Sequence, residues 1–266
     1  MHGVVSDRAG AWYVTTDDSV LHVSSAGRVR SVATVEAQDP GLRGIAISPD
    51  LSALFVADSG GHKILQVEAA TGAVTTLAGS GEDGDTDAVG GAAQFTSPRG
   101  VAISPDGSAL FVADFRGFKI RRVEVATGAV TTVAGSGTNG SVDGVGGAAQ
   151  FYYPSGVAIS PDGSALFVVD CLGHKIRRVE VATGAVTALA GSGTMGSVDG
   201  VGGAAQFSYP HGVAISLDGS ALFVADVSNQ KIRRVEVATG AVTTLAGSGT
   251  MDSADGVGGA AHFHNP

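Results

Sequence analysis

Short apolar segments alternate with turn residues along the whole chain. Between residues 100 and 135 this pattern predicts four strands: Val101–Ser104, Ala109–Asp114, Lys119–Val125 and Ala129–Ala134. The second strand is an almost continuous apolar run, which is typical of a strand with both faces covered. The Asp-Gly and Thr-Gly pairs between strands favour tight turns, because Gly accepts a positive φ and Asp bonds to nearby backbone. We therefore predict one four-stranded antiparallel sheet in this segment.

This segment is one copy of a tandem repeat with a period of 56 residues. The copies begin in register at Gly44, Gly100, Gly156 and Gly212, and a shorter, more divergent copy precedes them. Four short strands in a repeat of about 40–50 residues are typical of β-propeller blades. We therefore predict an all-β fold, a β-propeller of four-stranded blades, with five blades in this chain. They would form a single domain, 1–266, from units 1–43, 44–99, 100–155, 156–211 and 212–266.

The last residues of the chain bear on how the blades close into a ring. The segment 260–266 repeats the stretch that elsewhere leads into the first strand of a blade. His2-Gly3 after Pro266 would reproduce His211-Gly212 after Pro210. This continuity favours a closed ring of five blades. The alternative is that the chain forms part of a six-bladed ring or of a longer array.

Two segments of the repeat carry a family resemblance. Residues 110–114 read Leu-Phe-Val-Ala-Asp, and residues 61–64 and 173–176 read Gly-His-Lys-Ile. These segments resemble the NHL-repeat family, in its long, 56-residue variety. The resemblance implies a β-propeller of tandem repeats. Phe118 and Gln230 replace the signature His of the family, so a role for that His cannot be common to all blades.

Composition and charge exclude several classes of protein. Gly contributes 41 of the 266 residues. Because each Gly inside a helix costs about 1 kcal/mol relative to Ala, this content argues against a fold of long helices. The formal net charge of −9 argues against binding to a nucleic-acid backbone, which requires clustered Lys and Arg. No stretch approaches the ~18 apolar residues of a membrane span. The single Cys171 excludes an internal disulfide.

Differences between the copies are concentrated in two parts of each unit. One is the loop between the second and third strands, and the other is the end of the Gly-rich connector that precedes the first strand. We call these the variable segments: residues 59–62, 96–99, 115–118, 152–155, 171–174, 208–211, 227–230 and 264–266. Because successive strands run in opposite directions, we expect both kinds of segment on one face.

The variable segments contain aromatic and Arg side chains, which are common at recognition sites. The candidate contact residues are Arg99, Phe115, Arg116, Phe118, Tyr152, Tyr153, Leu172, His174, Tyr209, His211, Asn229 and Gln230. We predict that this surface binds a protein, peptide or glycan partner. We predict no nucleic-acid partner and a monomeric protein.

Repeated acids and scattered histidines provide the candidate metal ligands. Asp58, Asp114, Asp170 and Asp226 recur at the end of the second strand, and a residue present in every blade normally satisfies backbone donors. The weaker metal candidates are His62, His174, His211, His264, Asp83, Asp85 and Asp87. The histidines lack a local ligand spacing and no bidentate Glu follows the carboxylates at the required place, so we predict no cofactor. Ca²⁺ at the alternating carboxylates, or a transition metal at the histidines, is the alternative.

No nucleophilic constellation is visible in the sequence. Cys171 has no adjacent base, and the repeated Arg121-Arg122 pair is expected at a blade edge beside Glu124. We therefore predict a non-catalytic interaction scaffold. The alternative, implied by enzymes on similar propellers, is a metal-dependent hydrolase or lyase of lactonase-like or amidating-lyase-like type. A structural spacer within a larger protein is a third interpretation.

Overall fold

The computed structural model describes residues 3–7, 9–35 and 41–266. It comprises two compact units, Met1–Val133 and Ala134–Pro266. The described residues form five antiparallel sheets whose four main strands follow one another in chain order. A meander of four strands is a propeller blade. The predicted class, an all-β β-propeller with five four-stranded blades, is therefore confirmed.

The first unit contains three blades. Blade 1 consists of β1 (Val4–Ser6), β2 (Trp12–Thr15), β3 (Ser19–Val23) and β4 (Val29–Thr34). Blade 2 consists of β5 (Leu42–Ile47), β6 (Ala53–Asp58), β7 (Lys63–Glu68) and β8 (Val74–Ala78). Blade 3 consists of β9 (Pro98–Ile103), β10 (Ala109–Asp114), β11 (Lys119–Glu124) and β12 (Val130–Ala134). The four strands predicted for blade 3 are thus present, with ends that differ by up to three residues.

The second unit contains two blades, and each has a short additional strand. The additional strand of blade 4 is β13 (Gly144–Val145), and its four main strands are β14 (Pro154–Ile159), β15 (Ala165–Asp170), β16 (Lys175–Glu180) and β17 (Ala185–Ala190). The additional strand of blade 5 is β18 (Gly200–Val201), and its four main strands are β19 (Pro210–Ile215), β20 (Ala221–Asp226), β21 (Lys231–Glu236) and β22 (Ala241–Ala246). Single 3-10 turns occur at Gly90–Ala92, Gly146–Ala148, Gly202–Ala204, Val227–Asn229 and Gly258–Ala260.

The short strands β13 and β18 belong to the long connectors. β13 pairs with the outer strand β17, and β18 pairs with the outer strand β22. An outer strand has an open row of backbone donors and acceptors, which the connector partly covers. The Gly-rich sequence of the connectors gives no signal for this pairing.

Side chains of neighbouring blades pack face to face. We call the face that a blade turns towards the next blade its leading face, and the opposite face its trailing face. The leading face of blade 2 contains Ala46, Ala53, Phe55, Ala57, Ile64 and Ala78. It packs on the trailing face of blade 3, which contains Val101, Leu110, Val112, Val123 and Val130. Alanines opposite larger aliphatic side chains allow the two sheets to fill the space between them.

The second unit repeats this packing. The leading face of blade 4 contains Ala165, Phe167, Val169, Ile176 and Ala190. It packs on the trailing face of blade 5, which contains Leu222, Val224, Val235 and Val242. The same division of small and large residues therefore builds the core in both units.

Neighbouring first strands approach each other through their backbones at one repeated Gly. A Cβ on Gly44 would lie 2.4 Å from the Arg99 carbonyl oxygen, and one on Gly156 would lie 2.6 Å from the His211 carbonyl oxygen. Any side chain would collide with backbone there, so Gly is required. This contact places Arg99 and His211 where one blade meets the next.

Candidate functional site

The two variable segments of a blade lie side by side. In blade 3, the Asp114 carboxylate accepts a hydrogen bond from Thr96 N at 2.7 Å, and Arg116 N donates to Thr96 O at 3.0 Å. In blade 4, Leu172 N donates to Tyr152 O at 3.0 Å. The end of the second strand therefore joins the loop to the connector.

In blades 2 and 4, a His of the loop also holds the connector end of the following blade. The Nδ1 atom of His62 accepts from Ser97 N at 3.1 Å, and that of His174 accepts from Tyr209 N at 3.3 Å. Ser97 and Tyr209 have positive φ values of 53° and 49°, a conformation that is uncommon for non-Gly residues. The signature His of the repeat therefore stabilises a strained connector end.

Gln230 performs the same task in blade 5. Its side-chain oxygen accepts from Asn265 N at 2.7 Å, and Asn265 also has a positive φ of 53°. Burial lowers the pKa of His174, which keeps its ring neutral and its Nδ1 lone pair available. Blades 2, 4 and 5 therefore have a hydrogen-bond acceptor at this position, which is an imidazole in two of them and an amide oxygen in the third.

In the first unit, the candidate residues form a cation–aromatic pair. The guanidinium carbon of Arg99 lies 3.4 Å from the centroid of the Phe115 ring. Both side chains are half-buried, whereas Arg116 beside them is exposed. A guanidinium stacked on a ring is a common arrangement at recognition sites, because it offers charge and flat apolar area together.

In the second unit, the candidate residues form two aromatic pairs. The rings of Tyr152 and Tyr153 are stacked with centroids 5.6 Å apart. The rings of His174 and Tyr209 meet edge to face at 5.0 Å. Tyr209 is 37% exposed and Tyr152 and Tyr153 are half-buried, so aromatic area faces solvent while the packing restricts ring motion.

The remaining candidates divide into structural and partly open positions. Asn229 donates to Gly196 O and to the Asp226 carboxylate, both at 2.7 Å, and thus holds a turn. Leu172 and Phe118 are half-buried. The site predicted from the sequence therefore includes residues that hold the backbone (His174, Asn229 and Gln230) beside residues with open surface.

The prediction that Cys171 lacks an adjacent base is wrong. Its Sγ atom lies 3.6 Å from Nε2 of His211, which is 40 residues away along the chain. The contact arises because the loop of blade 4 packs against the connector end of blade 5. Cys171 is only 3% exposed, and burial of this degree is typical of a structural thiol.

The prediction that both members of each Arg pair lie at a blade edge is also wrong. Arg122 and Arg178 do pair with Glu124 and Glu180. The first Arg of each pair is instead fully buried: Arg121, Arg177 and Arg233. Arg121 lies two residues before Val123, on the same buried strand face, and this spacing is the signal that could have predicted its position.

Each buried Arg joins its own blade to the preceding connector. Arg121 donates to the buried Asp114 at 3.0 Å and to Asp87, in the connector, at 2.6 Å. Burial raises the pKa of Asp114 to about 7, because its ionised form is separated from water. Asp114 also accepts from Thr96 N. Asp114, Asp170 and Asp226 therefore satisfy backbone donors, as the sequence indicated, and they also accept from a buried Arg, which it did not indicate.

Two of the three carboxylates considered for Ca²⁺ have protein cations as partners. Asp85 accepts from Lys119 Nζ at 2.6 Å, and Asp87 binds Arg121. Asp83 lies 3.9 Å from His62 Nδ1. Within 3–7, 9–35 and 41–266, no group of three or more His, Cys, Asp or Glu side chains is arranged to hold a metal ion. His264 is exposed, and His2 lies outside the described residues.

The geometry defines the class of protein as a β-propeller whose blades are joined by Asp–Arg contacts and by His or Gln acceptors.

No protein-family model matches the chain. The chain is 31% identical over 207 residues to the protein SUPPRESSOR OF QUENCHING 1, chloroplastic, of Arabidopsis thaliana, covering 74% of this chain and 19% of that protein. It is 32% identical over 214 residues to NHL repeat-containing protein 2 of Bos taurus, covering 72% of this chain and 30% of that protein. The chain is thus an NHL-repeat β-propeller. It spans less than a third of the length of these curated relatives.

Solved structures share the fold at low sequence identity. An auxiliary nutrient binding protein from Bacteroides thetaiotaomicron has a TM-score of 0.75 at 17% identity, over 99% of this chain and 62% of that one. A chain of a nidogen/laminin complex has a TM-score of 0.66 at 17% identity, over 91% and 78%. Virginiamycin B lyase from Staphylococcus aureus has a TM-score of 0.59 at 16% identity, over 91% and 68%. The described residues contain no helix with the length and hydropathy needed to cross a membrane.

Proposed function

We propose that this protein is a non-catalytic recognition scaffold whose variable segments bind a protein, peptide or glycan. The observation that carries the proposal is the distribution of differences between two nearly identical copies. Residues 100–155 and 156–211 differ at nine positions, and five of these fall in the eight residues of the variable segments: 115, 116, 118, 152 and 155. Loops on a constant scaffold are where binding proteins usually diversify.

The geometry of the variable segments suits this role. Hydrogen bonds from the connector ends hold the loops, so a partner would meet a preorganised surface, which lowers the entropic cost of binding. The variable segments of the first unit offer the Arg99–Phe115 pair and the exposed Arg116, and those of the second unit offer the stacked Tyr rings. Such side chains bind flat apolar groups and carboxylates or sugar hydroxyls alike.

The similar solved structures are consistent with a binding role. One of them is an auxiliary nutrient binding protein, and another is a chain from a complex of nidogen with laminin. At this level of identity the fold alone is shared. The proposed class of partner therefore rests on the side chains of the variable segments.

An enzymatic role, as in the propeller lyase, has less support from the side chains. A metal-dependent hydrolase needs carboxylates or imidazoles directed at a common point. Here Asp85 and Asp87 bind Lys119 and Arg121, and the Nδ1 atoms of His62 and His174 accept backbone hydrogen bonds. A melting temperature that rises by more than about 5 °C at micromolar Zn²⁺ or Ca²⁺ would favour the metalloprotein instead.

Selection of ligands from a random peptide library and from a glycan array tests the proposal. The double variant Tyr153→Ala/Arg99→Ala should weaken binding of the selected ligands at least tenfold. Because both side chains are half-buried and stacked on a ring, it should also lower the melting temperature by about 2–4 °C, so binding is measured well below that temperature. Leu217→Ala is the matched control, because Leu217 lies in a turn between first and second strands and is 94% exposed. Equal binding by the double variant and the control would show that the variable segments are not the contact surface.

A further inference from the structure

Permanent positive charge in the variable segments is confined to blade 3. These segments contain two Lys or Arg residues, Arg99 and Arg116, and they contain no Asp or Glu. The whole chain, by contrast, has a formal net charge of −9. Blade 3 therefore presents a local cationic surface on an acidic protein, and such a surface attracts a ligand of opposite charge.

Both Arg residues extend from a fixed backbone. Gly44 approaches the carbonyl of Arg99 so closely that a Cβ on Gly44 would lie 2.4 Å from the carbonyl oxygen. Arg116 N donates a hydrogen bond to Thr96 O at 3.0 Å. A ligand would not have to order these segments, so the entropic cost of its binding is reduced.

The Phe115 ring holds the Arg99 guanidinium in one orientation. The guanidinium carbon lies 3.4 Å from the centroid of the ring. Stacking covers a face of the guanidinium, whereas the N–H donors lie in its plane. A carboxylate binds a guanidinium in that plane through two parallel hydrogen bonds. The stacked geometry is therefore suited to a carboxylate.

Arg116 adds a second cation beside this pair. It follows Phe115 directly in the chain and is exposed. Within 3–7, 9–35 and 41–266, its side chain has neither an ion pair nor a hydrogen bond. The acid nearest to it in the sequence, Asp114, is fully buried and binds Arg121. The Arg116 guanidinium is thus available to a carboxylate from a partner.

Blade 2 contains an Arg–carboxylate contact at the equivalent place. Arg43 precedes its counterpart Arg99 by 56 residues, and its Nη1 atom lies 3.4 Å from Oδ1 of Asp17, in the loop of blade 1. Ser59 is the counterpart of Asp17 in the loop of blade 2. The fold therefore accommodates a carboxylate beside an Arg at this end of a blade, and for blade 3 the preceding loop has Ser in place of the acid.

We propose that Arg99, Phe115 and Arg116 form a binding site for an acidic peptide, with one Asp or Glu carboxylate at each guanidinium. This inference rests on the proposed function and names the partner of its blade 3 segments. Phe115 and Phe118 favour a peptide over an acidic glycan, because their rings pack against apolar side chains and have no hydroxyl to bond sugar hydroxyls.

The first test uses the 266-residue protein and the peptides selected from the random library. Each selected peptide is made again with Gln in place of Glu and Asn in place of Asp. The amide peptides should bind at least about tenfold more weakly, because charge-assisted hydrogen bonds are lost. Binding of the acidic peptides should weaken at least about fivefold between about 50 and about 500 mM NaCl, because salt screens exposed charges.

The second test reverses the charge of Arg116. Arg116→Glu should weaken binding of the acidic peptides at least about tenfold, and a peptide with Lys in place of one Glu should recover binding to this variant alone. Arg28→Glu is the matched control, because it changes the net charge equally. Arg28 is exposed and lies between β3 and β4, at the opposite end of its blade from the loop. The control should bind the acidic peptides within about twofold of the parent.

Three results would overturn the inference: equal binding of acidic and amide peptides, equal effects of Arg116→Glu and Arg28→Glu, and selection of glycans without any peptide. The proposed function survives each of these results if Tyr153→Ala/Arg99→Ala still weakens binding of the selected ligands relative to Leu217→Ala. Selection of no ligand from either library would overturn both.

Discussion

Leu51 has a backbone conformation that the other turns of its kind give to Gly. Its φ is 63°, whereas Gly107, Gly163 and Gly219 have φ of 75° at the corresponding position. A positive φ brings the Cβ of an L-residue close to its own backbone, at a cost of roughly 1–2 kcal/mol. Blade 2 therefore contains a strained turn that blades 3, 4 and 5 avoid.

We expect Leu51→Gly to raise the free energy of unfolding by about 0.5–1 kcal/mol, because relief of strain exceeds the added entropy of the unfolded chain. Urea denaturation measures this change. Gly107→Leu is the reciprocal control and should destabilise the protein, since a Cβ there also meets Pro49 at 3.1 Å. A loss of stability in Leu51→Gly would contradict the strain argument.

The acceptors at His174 and Gln230 show that one task can be met by two side chains. Each accepts a backbone N–H from a connector residue with positive φ. Loss of the acceptor would leave a partly buried N–H without a partner, which costs about 1–3 kcal/mol. The requirement is for a lone pair at this place, not for a titratable ring.

We expect His174→Gln to change the free energy of unfolding by less than about 1 kcal/mol and His174→Leu to lower it by about 1–3 kcal/mol. Thermal or urea unfolding of the two variants measures the difference. Equal destabilisation by Gln and Leu would show that ring packing against Tyr209, rather than the hydrogen bond, holds the connector end.

The third strand of blades 3, 4 and 5 carries the contact that joins a blade to its connector. Arg121 is fully buried between Asp114 and Asp87 and also donates to Gln94 O and Thr86 O. Breaking a buried ion pair by removing one partner typically costs about 3–5 kcal/mol, because the other group stays buried without compensation. Blade 2 has Leu65 at this position, so the contact accompanies the long connectors.

We expect Arg121→Leu to lower the free energy of unfolding by about 3 kcal/mol or more. Arg122→Leu is the matched control, since Arg122 is half-exposed and pairs with the half-exposed Glu124. Its loss should cost at most about 1 kcal/mol. Similar losses in both variants would mean that the buried pair contributes no more than a surface pair.

One turn that recurs in blades 2, 3, 4 and 5 contributes to the acid sensitivity of the protein, because hydrogen bonds lower the pKa of its Asp. Hydrogen bonds from the side chains of Ser104, Ser160 and Ser216, together with those from the following Ser, hold the pKa of Asp106, Asp162 and Asp218 at about 2. The ordinary value is 3.8. Because folding lowers these pKa values, the carboxylates contribute stability above about pH 4. That stability is lost as the pH falls from about 4 to about 2.

We expect the triple variant Asp106→Asn/Asp162→Asn/Asp218→Asn to lose less stability than the parent between pH 4 and pH 2. Urea midpoints measured at intervals over this range provide the comparison. Identical pH dependence of parent and variant would rule out these turns as the source of acid sensitivity.

Local pattern was sufficient to predict the strands, the repeat, the blade count and the adjacency of the two variable segments within a blade. These features depend on strand periodicity and on turn residues such as Asp106-Gly107, which act over a few neighbours. The burial of Arg121 and the contact of Cys171 with His211 could not be predicted in this way. Each joins residues 34 or more positions apart in the sequence. Burial is a property of packed neighbouring blades, so only the tertiary structure decided which charges are enclosed.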